Sequence, residues 1–333
     1  MENKELVKLA IDAYRGTVTN YTSEQAGEVI VKAIKDILGT DKIDVKSLRR
    51  NNNKDKVFSL IETLIPKLTE DGFKDDEFFL NLVEYVNIKE GDLNEFVVDK
   101  DSTFIIADTA KGIATPRRQR IGEKTTVTVK TTTKMIRFYE ELSRLLAGRV
   151  TWGDFVDALV RTYTQNAYND IYTAFAGIDA STEGMNSTYA PTAGTYDEEA
   201  LLDIVAHVEA STGKRATIIG TTKALRNCTT ANPSNQAKDD YYNIGYYGKL
   251  AGIPMIGVKN RHQLGTDTFL LDDKKMWVIA SDDKPIKYVT EGEGLIEDKP
   301  ATDNADLTQE YVYMENTGVG VVLNGKIGVY TLQ

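Results

Sequence analysis

Residues 151–177 read TWGDFVDALVRTYTQNAYNDIYTAFAG, and the fold follows from where this stretch sits in the chain. Trp152, Phe155, Val156, Leu159, Val160, Tyr163, Ala167, Ile171, Ala174 and Phe175 recur at helical spacing. Thr151, with Asp154 three residues on, can cap the start, and Gly177 ends the run. The spacing predicts one uninterrupted helix of roughly 40 Å at about 1.5 Å rise per residue. So long an apolar stripe needs a wide surface, and the strands that close the chain are the expected one.

Immediately upstream, Lys111, Arg117, Arg118, Arg120, Lys124, Lys130, Lys134 and Arg137 stand against Glu123 alone. Within this stretch TTVTVKTTTK alternates β-formers but offers no apolar face to bury. A strand with so little to cover belongs in a projecting hairpin. Eight cations with one anion repel one another in an isolated loop, which implies a counter-surface of phosphate or of acidic protein. The acidic remainder of the chain supplies that surface if copies assemble, so self-association is favoured and a nucleic-acid contact is the competing reading.

Further upstream the pattern is helical. Thr22 with Gln25 opens one amphipathic run through Ile30, Ala33, Ile34, Ile37 and Leu38 to Gly39. A second run carries Val57, Phe58, Ile61, Leu64, Ile65 and Leu68, with Pro66 inside it. FFLNLVEYVNI from Phe78, then NEFVVD and STFIIAD, are short and rich in β-formers and read as strands. Downstream, a Gly, Ser and Thr-rich link leads to DEEALLDIVAHVEAST, a helix with an acidic first turn and Gly213 after its last. RATIIG, GIPMIGV, TFLLD, KMWVIAS and PIKYV follow as strands. EYVYMEN, GVGVVL and KIGVYTL close the chain, with a type I′ hairpin turn expected at Asn324-Gly325.

Composition narrows the chemistry. The chain has 333 residues, 40 Lys and Arg against 50 Asp and Glu, and a formal charge of −10, which opposes non-specific attraction to nucleic acid over the whole surface. Two histidines, His207 and His262, and one cysteine, Cys228, are too few for the common zinc sites or an intrachain disulfide. Charges interrupt the N-terminal apolar residues too often for a signal peptide, and no apolar run approaches a membrane span. These features place the protein in a cytoplasm and make the sequons at Asn20, Asn186 and Asn227 chance matches.

Other motifs carry bland readings. GVVLNGK, Gly320 to Lys326, has P-loop spacing but is followed by Ile327 and not by Ser or Thr. Asp272-Asp273 and Asp282-Asp283 sit at strand ends, where Asp favours turns. No G-x-S-x-G elbow is present, and neither the histidines nor Cys228 suggest a triad. Tyr241-Tyr242 and Tyr246-Tyr247 are ordinary packing at a domain edge or stacking platforms.

The succession of arm, basic hairpin, long helix, α/β module and closing strands resembles the major capsid proteins of tailed bacteriophages that share the HK97 fold. Gly245 to Val258, GYYGKLAGIPMIGV, is similar to a recurrent family segment entering a strand. Glu310 to Leu332, EYVYMENTGVGVVLNGKIGVYTL, resembles the family's closing pair of strands. The resemblance covers roughly Phe96 onward and implies an α+β fold in five parts. These are an N-terminal helical arm with first strands (1–95), an extended loop (96–137), a peripheral domain with the spine helix (138–194), an axial domain (195–282) and closing strands of the peripheral domain (283–333). The numbering begins at Met1, which favours an arm retained rather than cleaved.

The resemblance implies a structural protein and no enzyme, without cofactor or metal. By the same resemblance it is expected to form pentamers and hexamers in an icosahedral shell around double-stranded DNA, held without sequence specificity. Scaffolding, portal and decoration proteins are the implied partners, no membrane is involved, and the shell assembles in a bacterial cytoplasm. The eight cations are the implied intersubunit contacts. A protein-filled encapsulin shell is the nearest rival, and a hydrolase or carbohydrate-binding enzyme is the rival of another class.

Overall fold

The computed structural model describes residues 77–92, 94–98, 124–140, 152–182, 185, 187–229, 234–280, 283–299, 309–323 and 326–332, with Gly39, Ser59, Glu62, Arg118 and Arg120 as isolated positions. Both amphipathic runs of the N-terminal region, apart from three of those positions, and the strand expected at STFIIAD lie outside the described residues. In chain order the elements are α1 (Glu77–Leu82), β1 (Val83–Ile88), β2 (Glu95–Val98), β3 (Thr125–Thr128), β4 (Thr132–Glu140) and α2 (Trp152–Ala176). Then come β5 (Thr192–Ala193), α3 (Glu198–Thr212), β6 (Ala216–Thr221), α4 (Thr222–Arg226), α5 (Asn235–Ile244), β7 (Lys249–Leu250) and β8 (Ile253–Val258). The chain closes with β9 (Lys275–Ala280), β10 (Ile286–Lys299), β11 (Gln309–Val321) and β12 (Gly328–Leu332). The class is α+β, as the sequence led us to expect.

Three sheets organise these strands. A four-stranded sheet runs β1-β10-β11-β4, a six-stranded sheet runs β5-β12-β9-β6-β8-β7, and β2 and β3 form an antiparallel ribbon of their own. The spine helix α2 joins the two larger sheets. Phe175 and Tyr172 pack with Trp277 of β9, Tyr288 of β10 and Val329 of β12 in one core, and the Phe175 and Trp277 rings lie 4.4 Å apart. The Trp277 indole N–H donates to the Ile178 carbonyl at 3.0 Å, which fixes the end of α2 on β9. On the other face of the six-stranded sheet, α3 buries Leu201, Ile204, Val205 and Val208 against Ile218, Val278 and Tyr330. Strand β6 lies between the two cores and is buried at every position.

Several expectations are corrected. FFLNLVEYVNI divides into helix α1 and strand β1, because Phe79 and Leu82 must share one side to reach the core under α2, where Phe79 meets Tyr168 edge-on at 4.5 Å. EYVYMEN and GVGVVL form one strand, β11. TFLLD is no strand and holds one isolated bridge, His262 with Phe269. Most consequential, β11 and β12 do not form a hairpin: β11 pairs with β10 and β4, while β12 pairs with β9 and β5 in the other sheet. Asn324 and Gly325, where the turn is expected, lie outside the described residues. The stretch 283–333 is thereby shared between the two large sheets. Helix α3 starts one residue inside expectation, with Asp197 as N-cap accepting from the Glu199 N–H at 3.0 Å, and ends at Gly213 with φ 68°.

Candidate intersubunit ribbon and its anchorage

The ribbon is antiparallel, with Phe96 opposite Val127 and Val98 opposite Thr125. Exposed side chains dominate it, Val97 included. After Thr128 the chain turns through Val129, Lys130 and Thr131, and at Thr132 it enters the four-stranded sheet as β4, paired along its length with β11. That turn is the root of the ribbon.

The root lies across the sheet face opposite α2. Alternation along β11 directs Tyr311, Tyr313, Glu315 and Thr317 to the helix side, and Gly318 and Gly320 end up beneath the root. A Cβ on Gly318 would stand 2.5 Å from the Lys130 carbonyl oxygen, and one on Gly320 would stand 2.6 Å from Val129 Cγ2. Only glycine allows so close an approach of another backbone. Val129 is buried there, and its carbonyl accepts a hydrogen bond from the Asn94 side-chain amide.

Two charged side chains of β10 complete the anchorage. Glu291 bridges the loops on either side of the ribbon: Oε1 accepts from the Gly91 N–H at 2.9 Å and Oε2 from the Thr131 hydroxyl at 3.0 Å. Those two bonds hold its pKa below the usual glutamate value. Lys287, only 4% exposed, pairs with Glu84 of β1, its cross-strand neighbour, and lies 5.6 Å from the centre of the Phe96 ring. The ribbon therefore leaves the sheet from a base fixed on both sides.

The eight cations singled out from the sequence separate into groups. Arg118, Arg120 and Lys124 are exposed, Lys130 is exposed at the root, and Lys111 and Arg117 lie outside the described residues. Lys134 and Arg137 lie in β4 within the sheet, since strand pairing resumes at Thr132. Lys134 pairs with Asp170 of α2, and the Arg137 Nε donates to Glu310 of β11 at 3.0 Å. The sequence reading missed Asn94, Lys287, Glu291 and the two glycines. Of these, only the Gly-Val-Gly-Val run at 318–321 left a trace, as two strand glycines with no turn beside them.

Past the root, the same sheet face carries an open apolar row: Leu295, Met314 and Met135 are cross-strand partners, with Leu295 46% and Met135 64% exposed.

The candidate chemical groups lie apart from the ribbon. Cys228 is buried, and burial pushes its thiol up to about 12, so it is protonated at neutral pH. His207 is exposed on α3, and His262 is exposed beside Phe269. Asp272 accepts from the Lys274 N–H at 3.0 Å in a turn; Asp273 accepts from the Thr221 hydroxyl at 2.8 Å and from Lys223 at 3.1 Å. Asp282 lies outside the described residues. Among the described residues, no helix is long and apolar enough to cross a membrane.

Comparison with known proteins bears on this arrangement. A family model described as "SPbeta prophage-derived putative capsid protein YonB" matches residues 5–331. No curated protein matches the chain. Among solved structures, the mature capsid of bacteriophage PhiM1 is 14% identical with a TM-score of 0.46, covering 78% of this chain and 87% of its own. The capsid of cyanophage P-SCSP1u is 11% identical with a TM-score of 0.46, covering 77% and 88%. A virus-like particle from Pyrococcus furiosus is 15% identical with a TM-score of 0.42, covering 80% and 96%.

Proposed function

Because the chain belongs to the YonB family of prophage-derived capsid proteins, we propose that it builds the shell of a phage head. Its copies gather as pentamers and hexamers and close into an icosahedral container for double-stranded DNA, which is held without sequence specificity. The role is structural. The order of ribbon, spine helix, α/β module and closing strands suits the HK97-like architecture. Scaffolding, portal and decoration proteins are its further partners, and assembly takes place in a bacterial cytoplasm before the protein comes to rest in the virion.

The anchored ribbon carries this reading. Its root is fixed by Glu291, Asn94 and the glycine seat, while Arg118, Arg120 and Lys124 are exposed. A stiff base under an exposed cationic arm is the form of a clasp. With a net charge of −10, a neighbouring copy offers carboxylates to receive it. Lys111 and Arg117 belong to the same arm by sequence. The open row of Leu295, Met314 and Met135 offers that neighbour an apolar surface beside the root.

The test is to replace Arg117, Arg118 and Arg120 together by Glu, express the chain without DNA, and follow it by sedimentation and electron microscopy. A folded subunit that no longer assembles is the expected result. Normal empty shells that have lost DNA binding, with a shallower salt dependence, would show that the arm contacts nucleic acid instead. Protein cargo in wild-type particles would favour an encapsulin-like compartment.

A further inference from the structure

The seam between α2 and the four-stranded sheet contains a buried acid that the shell reading does not use. Glu315 of β11 is 6% exposed. On its own strand Tyr313 stands two residues away and donates its hydroxyl hydrogen to Oε2 at 3.3 Å. From α2, Tyr163 meets Tyr313 edge-on with centroids 4.8 Å apart and donates to the Lys134 carbonyl at 3.0 Å. From β4, Lys134 lies directly across from Glu315, but its ammonium pairs with Asp170 of α2. From β10, Tyr288 is buried within reach of the same charge. Glu315 thus faces three phenols, a second carboxylate and one cation that the second carboxylate already engages.

We propose that Glu315 is a proton-operated latch: protonated, it lets the spine helix seat on the sheet, and its ionisation loosens that seam. A carboxylate surrounded by phenols has lost its water, and the cation that would compensate it is held by Asp170. Burial accordingly raises its pKa to about 7, against the smaller opposing pull of the Tyr313 hydroxyl and the Lys134 charge. The folded chain then binds this proton more tightly than the unfolded chain does. The stability it contributes is complete below the ordinary glutamate value of 4.5 and is lost as the pH rises through about 7. Glu315 lies three residues before the Gly318 seat on the same strand, so loosening the seam also disturbs the strand that supports the ribbon. The latch concerns the subunit fold and does not depend on the shell reading.

The experiment compares unfolding of the full wild-type chain with Glu315→Gln, by denaturant titration at intervals from pH 5 to pH 8. The folded-to-unfolded ratio of the wild type should fall relative to the variant by roughly 50- to 100-fold over that range, the size expected for one group with these two pKa values. A difference between the two proteins that stays constant with pH, or that changes in the opposite direction, overturns the latch. Infrared spectroscopy of the folded wild type gives a readout that needs no variant. The band of a protonated carboxylic acid should be present at pH 6 and gone at pH 8, and its absence at pH 6 overturns the proposal. Tyr313→Phe removes a bond that favours the charged form, so the band should persist to higher pH in that variant; a shift to lower pH counts against the assignment.

Discussion

The seat beneath the ribbon root can be tested by exchanging methyl groups between its two halves. In Gly320→Ala the new Cβ would stand 2.6 Å from Val129 Cγ2 and 3.3 Å from Cγ1, so the valine must move. Overpacking of this kind costs about 1–3 kcal/mol. Val129→Ala removes two buried methyl groups and should cost roughly 1–2.5 kcal/mol. If the two positions share one volume, the alanine at 320 occupies part of what the valine vacates. The double variant should then be less destabilised than the sum of the singles by about 1–2 kcal/mol. Gly318→Ala has no such remedy, because its neighbours are backbone: the Lys130 carbonyl oxygen at 2.5 Å, its carbon at 3.0 Å and Thr131 Cα at 3.1 Å. It should cost at least as much as Gly320→Ala, with no rescue by Val129→Ala, and should impair assembly by displacing the ribbon. Urea unfolding gives the energies, and sedimentation of assembling chains gives the second readout. Strict additivity of the 320 and 129 changes, or wild-type stability and assembly in Gly318→Ala, would refute the seat.

Two further outcomes follow from the same geometry. Glu291→Ala removes both bonds at the root, so protection of the Gly91 amide from hydrogen exchange should fall at neutral pH while the global unfolding midpoint moves little; unchanged protection would mean that the clamp is not formed in solution. Phe175→Ala empties a fully buried site against Trp277 and should cost about 3–5 kcal/mol in urea unfolding, and a loss under 1 kcal/mol would mean the joint between the two sheets is held elsewhere.

The elements legible in the sequence are those whose signals are local. Helix α2 was readable end to end because its apolar residues repeat at the helical period, and the end of α3 was readable because Gly213 adopts the left-handed conformation expected of it. What stayed hidden depends on partners far away in the chain. The β-former composition of Phe78 to Ile88 suggested one strand, yet the contact of Phe79 with Tyr168 needs its first half helical. Asn324-Gly325 is a strong hairpin signal that says nothing about which sheet the next strand joins, and Gly328–Leu332 finds β9 and not β11. The basic stretch predicted a projection, but composition alone cannot show that pairing resumes at Thr132 and draws Lys134 and Arg137 into the sheet. Glu291 and Lys287 read as ordinary surface charges until β10 is placed under the root.

Glu291 and Glu315 place opposite demands on pH from opposite faces of one sheet. Glu291 lies cross-strand from Asn316, the residue after Glu315, so the two carboxylates are separated by the thickness of the sheet rather than by its length. Glu291 works as an anion: its bonds to Gly91 and Thr131 depress its pKa, so the clamp is present above the ordinary glutamate range and is released as the pH falls through the lowered value. Glu315 works as a neutral acid, and its seam loosens as the pH rises through about 7. Only between these limits, in mildly acidic solution, are the root clamped and the helix seated at once. Each side of that window is assigned to one residue, so Glu315→Gln should extend the stable range upward and leave the acid limb in place. Glu291→Ala should remove the acid-dependent change in Gly91 protection and leave the alkaline limb intact. A ribbon that must be stiff when it meets a neighbour is thereby tied to two protonation states of opposite sign, both read by strands β10 and β11 that support its root.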